Sequence, residues 1–112
     1  KRRMVELVES LKRILESARE WERKPTTIPG IFLMKLPGYR KSPPRLIVEV
    51  NPTDSYGNPT KKRGLIIRGM ADLEEYRKIL ANKKIEELLE ALAKVNPPLV
   101  ERGKTGGEVV EI

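Results

Sequence analysis

Residues 45–69 read RLIVEVNPTDSYGNPTKKRGLIIRG, and this stretch decides the fold class. Its first six residues alternate in polarity, which is the pattern of a half-buried β-strand. The turn formers of residues 51–60 follow, and residues 61–69 return as a second strand rich in β-branched side chains. The connection is too short for a crossover between parallel strands, so we expect an antiparallel hairpin. Its turn formers would make a long exposed tip.

The hairpin is preceded by another short strand. Ile31–Leu36 is an apolar run between Pro29-Gly30 and Pro37-Gly38, and such breakers bound a strand. Residues 39–44 then form a basic connection that contains two prolines and one tyrosine. Together these elements make a basic, strand-rich segment over residues 26–69.

Helical periodicity appears on both sides of this segment. Apolar residues at spacings of three and four predict an N-terminal helix over residues 3–23, which Pro25 stops. Residues 71–95 carry two apolar stripes whose phase slips near Asn82, so we predict helices at 71–81 and 84–95 with Asn82 as a cap; one kinked helix is the alternative. Residues 99–112 are predicted to be a flexible tail.

This order of elements predicts an α+β fold in one domain spanning residues 1–112. A small antiparallel sheet of three to four strands would pack against the N-terminal helix and the two consecutive C-terminal helices. No stretch is long and apolar enough to span a membrane, and the pattern is that of a soluble, cytoplasmic protein. Abundant charge without glutamine also suggests a thermophilic source.

The alternation assigns the side chains of the sheet to two faces. The face expected to meet the helices carries Leu46, Val48, Val50, Leu65 and Ile67. The opposite face carries Arg45, Ile47, Glu49, Lys62, Ile66 and Arg68, and we place Lys35, Ile31 and Leu33 of the preceding strand with them. This second face mixes apolar and basic side chains, which suits a surface that binds unpaired bases and phosphates.

The positive charge lies mainly in the middle of the chain. The formal net charge is +7 in total, and residues 25–69 hold eight basic and two acidic groups, a net of +6. A localised positive field favours a polyanionic partner. A solvated basic surface without a partner is the alternative.

Charge and strand parity together select a candidate nucleic-acid-binding surface. Two tyrosines lie in the basic connections, where each could stack on a base; packing within the loops is the alternative for both. Trp21 continues the apolar stripe of the first helix and is assigned to packing in the core or an interface; stacking on a ligand is the alternative. The candidate binding residues are Lys35, Tyr39, Arg40, Lys41, Arg45, Ile47, Tyr56, Lys61, Lys62, Arg63, Ile66 and Arg68.

Catalysis and metal binding find little support in the sequence. The chain contains no Cys and no His, which removes thiolate nucleophiles, imidazole bases and the usual zinc ligands. Glu49 has no predicted carboxylate partner, and Gly103-Lys104-Thr105 lacks the upstream glycine of a phosphate-binding loop. We therefore predict a protein that is not an enzyme and needs no cofactor.

Three segments resemble the archaeal ThermoDBP-related proteins. They are residues 28–37, residues 45–52 and residues 56–64, and the similarity extends from about Ile28 to Asn96-Pro97. The resemblance implies a single-stranded DNA-binding protein, which could also bind RNA, with an apolar cleft between sheet and helices that basic residues flank. It also implies a thermophilic archaeal source.

We therefore expect sequence-tolerant binding of single-stranded DNA or RNA by a basic, partly apolar sheet face or cleft. The wide apolar stripes of the helices predict a homo-oligomer, either a dimer or a larger assembly. The alternative function is a helix-mediated interaction module with an incidental basic surface.

Overall fold

A four-stranded antiparallel sheet, with its strands in chain order, organises the fold. The computed structural model describes residues 2–99. Its elements are α1 (Arg2–Ser17), β1 (Arg23–Pro25), β2 (Ile31–Leu36), β3 (Arg45–Val50), β4 (Leu65–Ile67), α2 (Met70–Leu80) and α3 (Lys84–Val95). The predicted α+β class is confirmed, with one helix before the sheet and two after it.

The hairpin of β3 and β4 forms as predicted, but its second strand is shorter. Val48 lies opposite Ile67, and Val50 lies opposite Leu65. Residues 61–64 do not join the ladder, because side chains of β3 and of Asn51 bind their backbone instead. Asn51 accepts a hydrogen bond from the Lys61 N–H at 3.0 Å, and Glu49 accepts one from the Gly64 N–H at 2.8 Å.

The N-terminal helix is shorter than predicted, and an additional strand follows it. The prediction of a helix over residues 3–23 is wrong after Ser17, because the chain turns back toward the sheet there. Trp21 adopts a left-handed conformation with φ 66°, and its N–H donates to the Lys35 carbonyl at 2.7 Å. Arg23–Pro25 then pairs with β2 as the edge strand β1.

The two C-terminal helices are confirmed at nearly the predicted bounds. Asn82 lies between them, and its side-chain oxygen accepts a hydrogen bond from the Lys84 N–H at 2.9 Å. This bond satisfies one of the backbone donors at the start of α3, as an N-terminal cap does. The phase slip in the sequence therefore corresponds to a real break.

The two faces of the sheet differ from the prediction in one strand. Leu33 lies opposite Val48, and Lys35 lies opposite Leu46, so both share the face of Val48 and not that of Ile47. The placement of Lys35, Ile31 and Leu33 beside Ile47 is therefore wrong. The error arose because the sequence contains no signal for the register between β2 and β3.

The buried face of the sheet is the one to which we assigned nucleic-acid binding. Ile47 is 2% exposed and Glu49 is 0% exposed, and the other buried apolar side chains among residues 2–99 are Phe32 and Met34, which share this face. Arg23 and the loop of residues 61–64 lie over it. Ile47 is therefore core and not an accessible platform.

The helices leave much apolar surface uncovered. Leu88, Leu89 and Val95 of α3 are 59%, 58% and 77% exposed, and Met4 and Val5 of α1 are each 61% exposed. Among the residues of α3, Ile85 is the one that is half-buried. The predicted flexible tail lies outside the described residues apart from Leu99.

Candidate nucleic-acid interface

An apolar cleft lies between the helices and the face of the sheet that carries Leu46, Val48 and Ile67. Its volume is about 360 Å³. Leu11 of α1 and Leu73 of α2 border it from the helical side. The complete lining is Leu11, Leu33, Leu46, Ile47, Val48, Ile67, Arg68, Gly69, Met70 and Leu73.

The cleft exists because the helices contact this face without closing over it. Leu33, Leu46, Val48 and Ile67 are each half-buried. The prediction that this face meets the helices is correct in direction, but the side chains remain accessible. Apolar side chains that stay accessible in a concave site form a surface for an apolar or aromatic ligand group.

Arg68 lines this cleft, and two further cations lie at the same end of the sheet. Lys35 lies opposite Leu46 on the cleft face, and its ammonium donates to the Ala18 carbonyl at 3.2 Å. Arg45 begins β3 at the same end of the sheet and is exposed, and Arg68 borders the cleft directly. These three predicted residues are thus brought to the same region.

Within residues 2–99, a carboxylate partly neutralises Arg68 but neither Lys35 nor Arg45. The Nε and Nη2 of Arg68 donate to the two oxygens of Asp72 at 2.9 and 3.0 Å, and its backbone N–H also donates to Asp72. These bonds lower the pKa of Asp72 to about 2. The Arg68 side chain is nevertheless 65% exposed, so its remaining N–H groups can reach a phosphate.

A tight turn extends the same end of the sheet with an aromatic ring and two cations. Tyr39 and Ser42 exchange two backbone hydrogen bonds of 2.9 Å, which places Arg40 and Lys41 at the tip. The guanidinium of Arg40 lies 5.2 Å from the centre of the Tyr39 ring. Tyr39 is 69% exposed and is not packed in the core.

A buried ionic cluster lies on the opposite face of the sheet. Arg23 donates to both oxygens of Glu49, with Nη2 and Oε2 3.0 Å apart. The Arg23 guanidinium holds the pKa of Glu49 below its ordinary value, against the opposing effect of burial, and the Gly64 N–H lowers it further. The Glu49 carboxylate is thus the ion-pair partner of Arg23.

The cluster fixes the backbone of the basic loop, which we define as Lys61, Lys62 and Arg63. The Asn51 amide donates to the Lys61 carbonyl at 2.8 Å, and Arg23 donates to the Lys62 carbonyl at 3.1 Å. All three side chains of the basic loop are exposed. The predicted cations therefore form two groups, one at the cleft end and one on the opposite face.

Of the other predicted residues, Tyr56 lies apart from both groups and Ile66 is less accessible. Tyr56 is 71% exposed at the far tip of the hairpin, where its N–H donates to Asp54 at 2.9 Å. Ile66 lies opposite Glu49 and is half-buried on the face that contains Ile47. Neither residue borders the cleft.

Sequence reasoning did not identify the cleft floor or the exposure of Trp21. Strand parity placed Leu46, Val48 and Ile67 together, but an apolar strand face is normally interpreted as core. The resemblance was the one signal for a cleft. Trp21 is 53% exposed, and nothing in the helical spacing indicated the turn that exposes it.

Comparisons of the chain with protein-family models, with curated proteins and with solved structures found no match. Within residues 2–99, no helix has the length and apolar character needed to cross a lipid bilayer. The same residues include no group of three or more carboxylates arranged to hold a metal ion.

Proposed function

We propose that the protein binds single-stranded DNA or RNA in the apolar cleft, with little dependence on base sequence. The observation that carries this proposal is an accessible apolar floor with Arg68 in its lining and with Lys35 and Arg45 at the same end of the sheet. Unpaired bases present apolar faces that fit such a floor, whereas a duplex hides them. Lys35, Arg45 and Arg68 would bind the phosphates.

The resemblance to the ThermoDBP-related proteins supports the same function. It implies an apolar cleft between sheet and helices with basic residues beside it, which is the arrangement described above. It also implies an archaeal, thermophilic source, for which a melting temperature well above the mesophilic range is the direct test.

A titration with labelled oligonucleotides tests the proposal. Fluorescence anisotropy would be measured with single-stranded DNA, RNA and duplex DNA of equal length at two salt concentrations. We expect both single strands to bind more tightly than the duplex and to weaken as salt rises, with a slope of log K on log salt near −2 for about three phosphates. Equal binding of duplex and single strands would contradict the use of an apolar floor.

A matched pair of variants locates the site. Val48→Thr places a hydroxyl in the cleft floor with almost no change in shape, and Val5→Thr makes the same change on the exposed surface of α1. We expect the first variant to lower single-strand affinity by roughly five-fold, since burying an unpaired hydroxyl costs about 1 kcal/mol or more. The second should leave affinity unchanged.

A second candidate function is self-association through α3, which would accompany nucleic-acid binding. Ile85, Leu88, Leu92 and Val95 recur at spacings of three, four and three, which is the seam of a coiled coil. Leu88 and Val95 are largely exposed within one chain. Light scattering should report a dimer or larger assembly that Leu88→Glu converts to monomer; a monomeric wild-type protein would exclude this candidate.

A further inference from the structure

Trp21 is an exposed aromatic residue held in an unusual backbone conformation. A φ of 66° lies in the left-handed region, which is disfavoured for a bulky side chain. Hydrogen bonds hold the conformation, because the Trp21 N–H donates to Lys35 and the adjacent Glu22 N–H donates to Arg19 at 3.1 Å. The indole ring is nevertheless half exposed, so apolar burial does not explain its position.

Arg63 lies over one face of this ring. Its guanidinium carbon is 5.6 Å from the ring centre, within the range of a cation–π contact. A stacked guanidinium uses its flat face for the ring and keeps its in-plane N–H groups for other partners. Within residues 2–99, no carboxylate forms an ion pair with any of the three cations of the basic loop.

The basic loop is also fixed before any ligand arrives. Asn51 and Arg23 bind its backbone at Lys61 and Lys62, and Glu49 binds the N–H of the following Gly64. The main chain of the loop is therefore already ordered when the protein folds. Cations on a fixed backbone bind a polyanion at a smaller entropic cost than cations on a mobile loop. This arrangement lies on the face of the sheet opposite the cleft.

We propose that Trp21 and the basic loop form a second contact site for single-stranded nucleic acid, in which a base stacks on the indole and Arg63 binds the adjacent phosphate. The inference rests on the proposed function and extends it, since the same strand would contact both faces of the sheet. An indole ring and a guanidinium side by side supply the stacking surface and the planar phosphate donor that such a contact needs.

Trp21 is the one tryptophan of the chain, so tryptophan fluorescence reports directly on this position. An oligothymidylate of about 16 nucleotides would be titrated into the full chain while tryptophan emission and the anisotropy of a label on the oligonucleotide are recorded together. We expect binding to quench the emission. An abasic strand of equal length should bind more weakly and should leave the emission nearly unchanged.

Variants separate the second contact from the cleft. Trp21→Ala and Arg63→Ala should each weaken binding by at least about five-fold, and Trp21→Phe should retain most of the affinity. Ile79→Ala, at an exposed position of α2 outside the cleft lining, should bind like the wild type. Circular dichroism of each variant checks that it folds. If a variant does not fold, the quenching assay still tests the proposal with the wild-type protein.

The outcomes distinguish the two proposals. Anisotropy that reports binding while tryptophan emission stays constant would overturn the second contact and leave cleft binding intact. Equal quenching by the abasic strand would overturn base stacking on Trp21. Absence of binding to any single strand would overturn the proposed function together with this inference.

Discussion

Glu49 has no exposed surface, yet the groups bound to it determine where surface cations lie. Its carboxylate accepts hydrogen bonds from Arg23 and from the Gly64 N–H, and Asn51 beside it binds Lys61. A buried carboxylate is stable only when such donors compensate for its lost hydration. The sequence contained Glu49 as a residue of uncertain role, and only the fold reveals its partners.

Replacing Glu49 with Gln should destabilise the protein in a pH-dependent way. The folded-state pKa of Glu49 is below its ordinary value of 4.5, so its contribution is fully present above about pH 4.5 and is lost as the pH falls through the folded pKa. At neutral pH we expect a loss of roughly 1–3 kcal/mol in the free energy of unfolding.

Urea denaturation at several pH values measures this effect. The difference between wild type and Glu49→Gln should shrink as the solution is acidified below pH 4.5. A difference that stays constant down to the acid limit would show that the charge of Glu49 is not what stabilises the fold.

Gly64 is required by a close approach of two backbones. A Cβ atom at this position would overlap the Val50 carbonyl oxygen and would lie 2.9 Å from the Asn51 Cβ. We expect Gly64→Ala to lower the free energy of unfolding by about 1–3 kcal/mol. Gly69→Ala is the matched control, because a Cβ there meets nothing within 4 Å, and it should be nearly neutral in the same denaturation assay.

At the scale of elements, the sequence predicted the boundaries that depend on interactions between neighbouring residues. The breakers around Ile31–Leu36, the alternation of Arg45–Val50 and the phase slip at Asn82 each correspond to an observed boundary. The end of α1 and the strand β1 were missed because both depend on long-range contacts: Trp21 bonds to Lys35, and Arg23 pairs with Glu49. Neither contact leaves a trace in nearby sequence.

The pairing of β4 with α2 through Arg68 and Asp72 makes a prediction at this scale. Asp72→Asn keeps a hydrogen-bond acceptor for the Arg68 N–H but removes the negative charge beside the guanidinium. Single-strand affinity should rise, and the slope of log K on log salt should become steeper, because Arg68 would no longer share its charge with a carboxylate when it binds its phosphate. The same anisotropy titration at several salt concentrations measures both quantities.

Glu74→Gln is the control for Asp72→Asn, because Glu74 is also on α2 but pairs with Arg77 away from the cleft lining. An equal gain of affinity from both variants would mean that net charge alone governs binding.

At the scale of the whole molecule, the composition showed where along the chain the excess positive charge lies. It did not show on which face of the sheet the charged side chains lie. The +6 of residues 25–69 divides between the cleft end and the opposite face, because the basic loop crosses over Glu49. The predicted single platform around Ile47 is replaced by a cleft on one face and a basic loop on the other. Register and loop path, which decide this, are tertiary properties.

Reversing the charge of two cations near the cleft tests its electrostatic role. The double variant Arg45→Glu and Arg68→Glu should reduce single-strand affinity by at least about a hundred-fold at low salt, since phosphate contacts dominate such binding. Lys83→Glu with Lys94→Glu changes the net charge equally at exposed positions near and within α3. A comparable loss in this control pair would refute a localised site, provided that circular dichroism shows both proteins folded.

Hydrogen bonds at the base of the long hairpin loop separate its tip from the sheet. Asn51 bonds twice to Lys61, and the Thr60 N–H donates to the Pro52 carbonyl at 2.8 Å, while Ser55, Tyr56 and Gly57 remain exposed beyond these bonds. The tip can therefore carry an inserted peptide epitope or affinity tag without strain reaching the sheet. The protein could be immobilised through this loop with the cleft and the basic loop left accessible to solution.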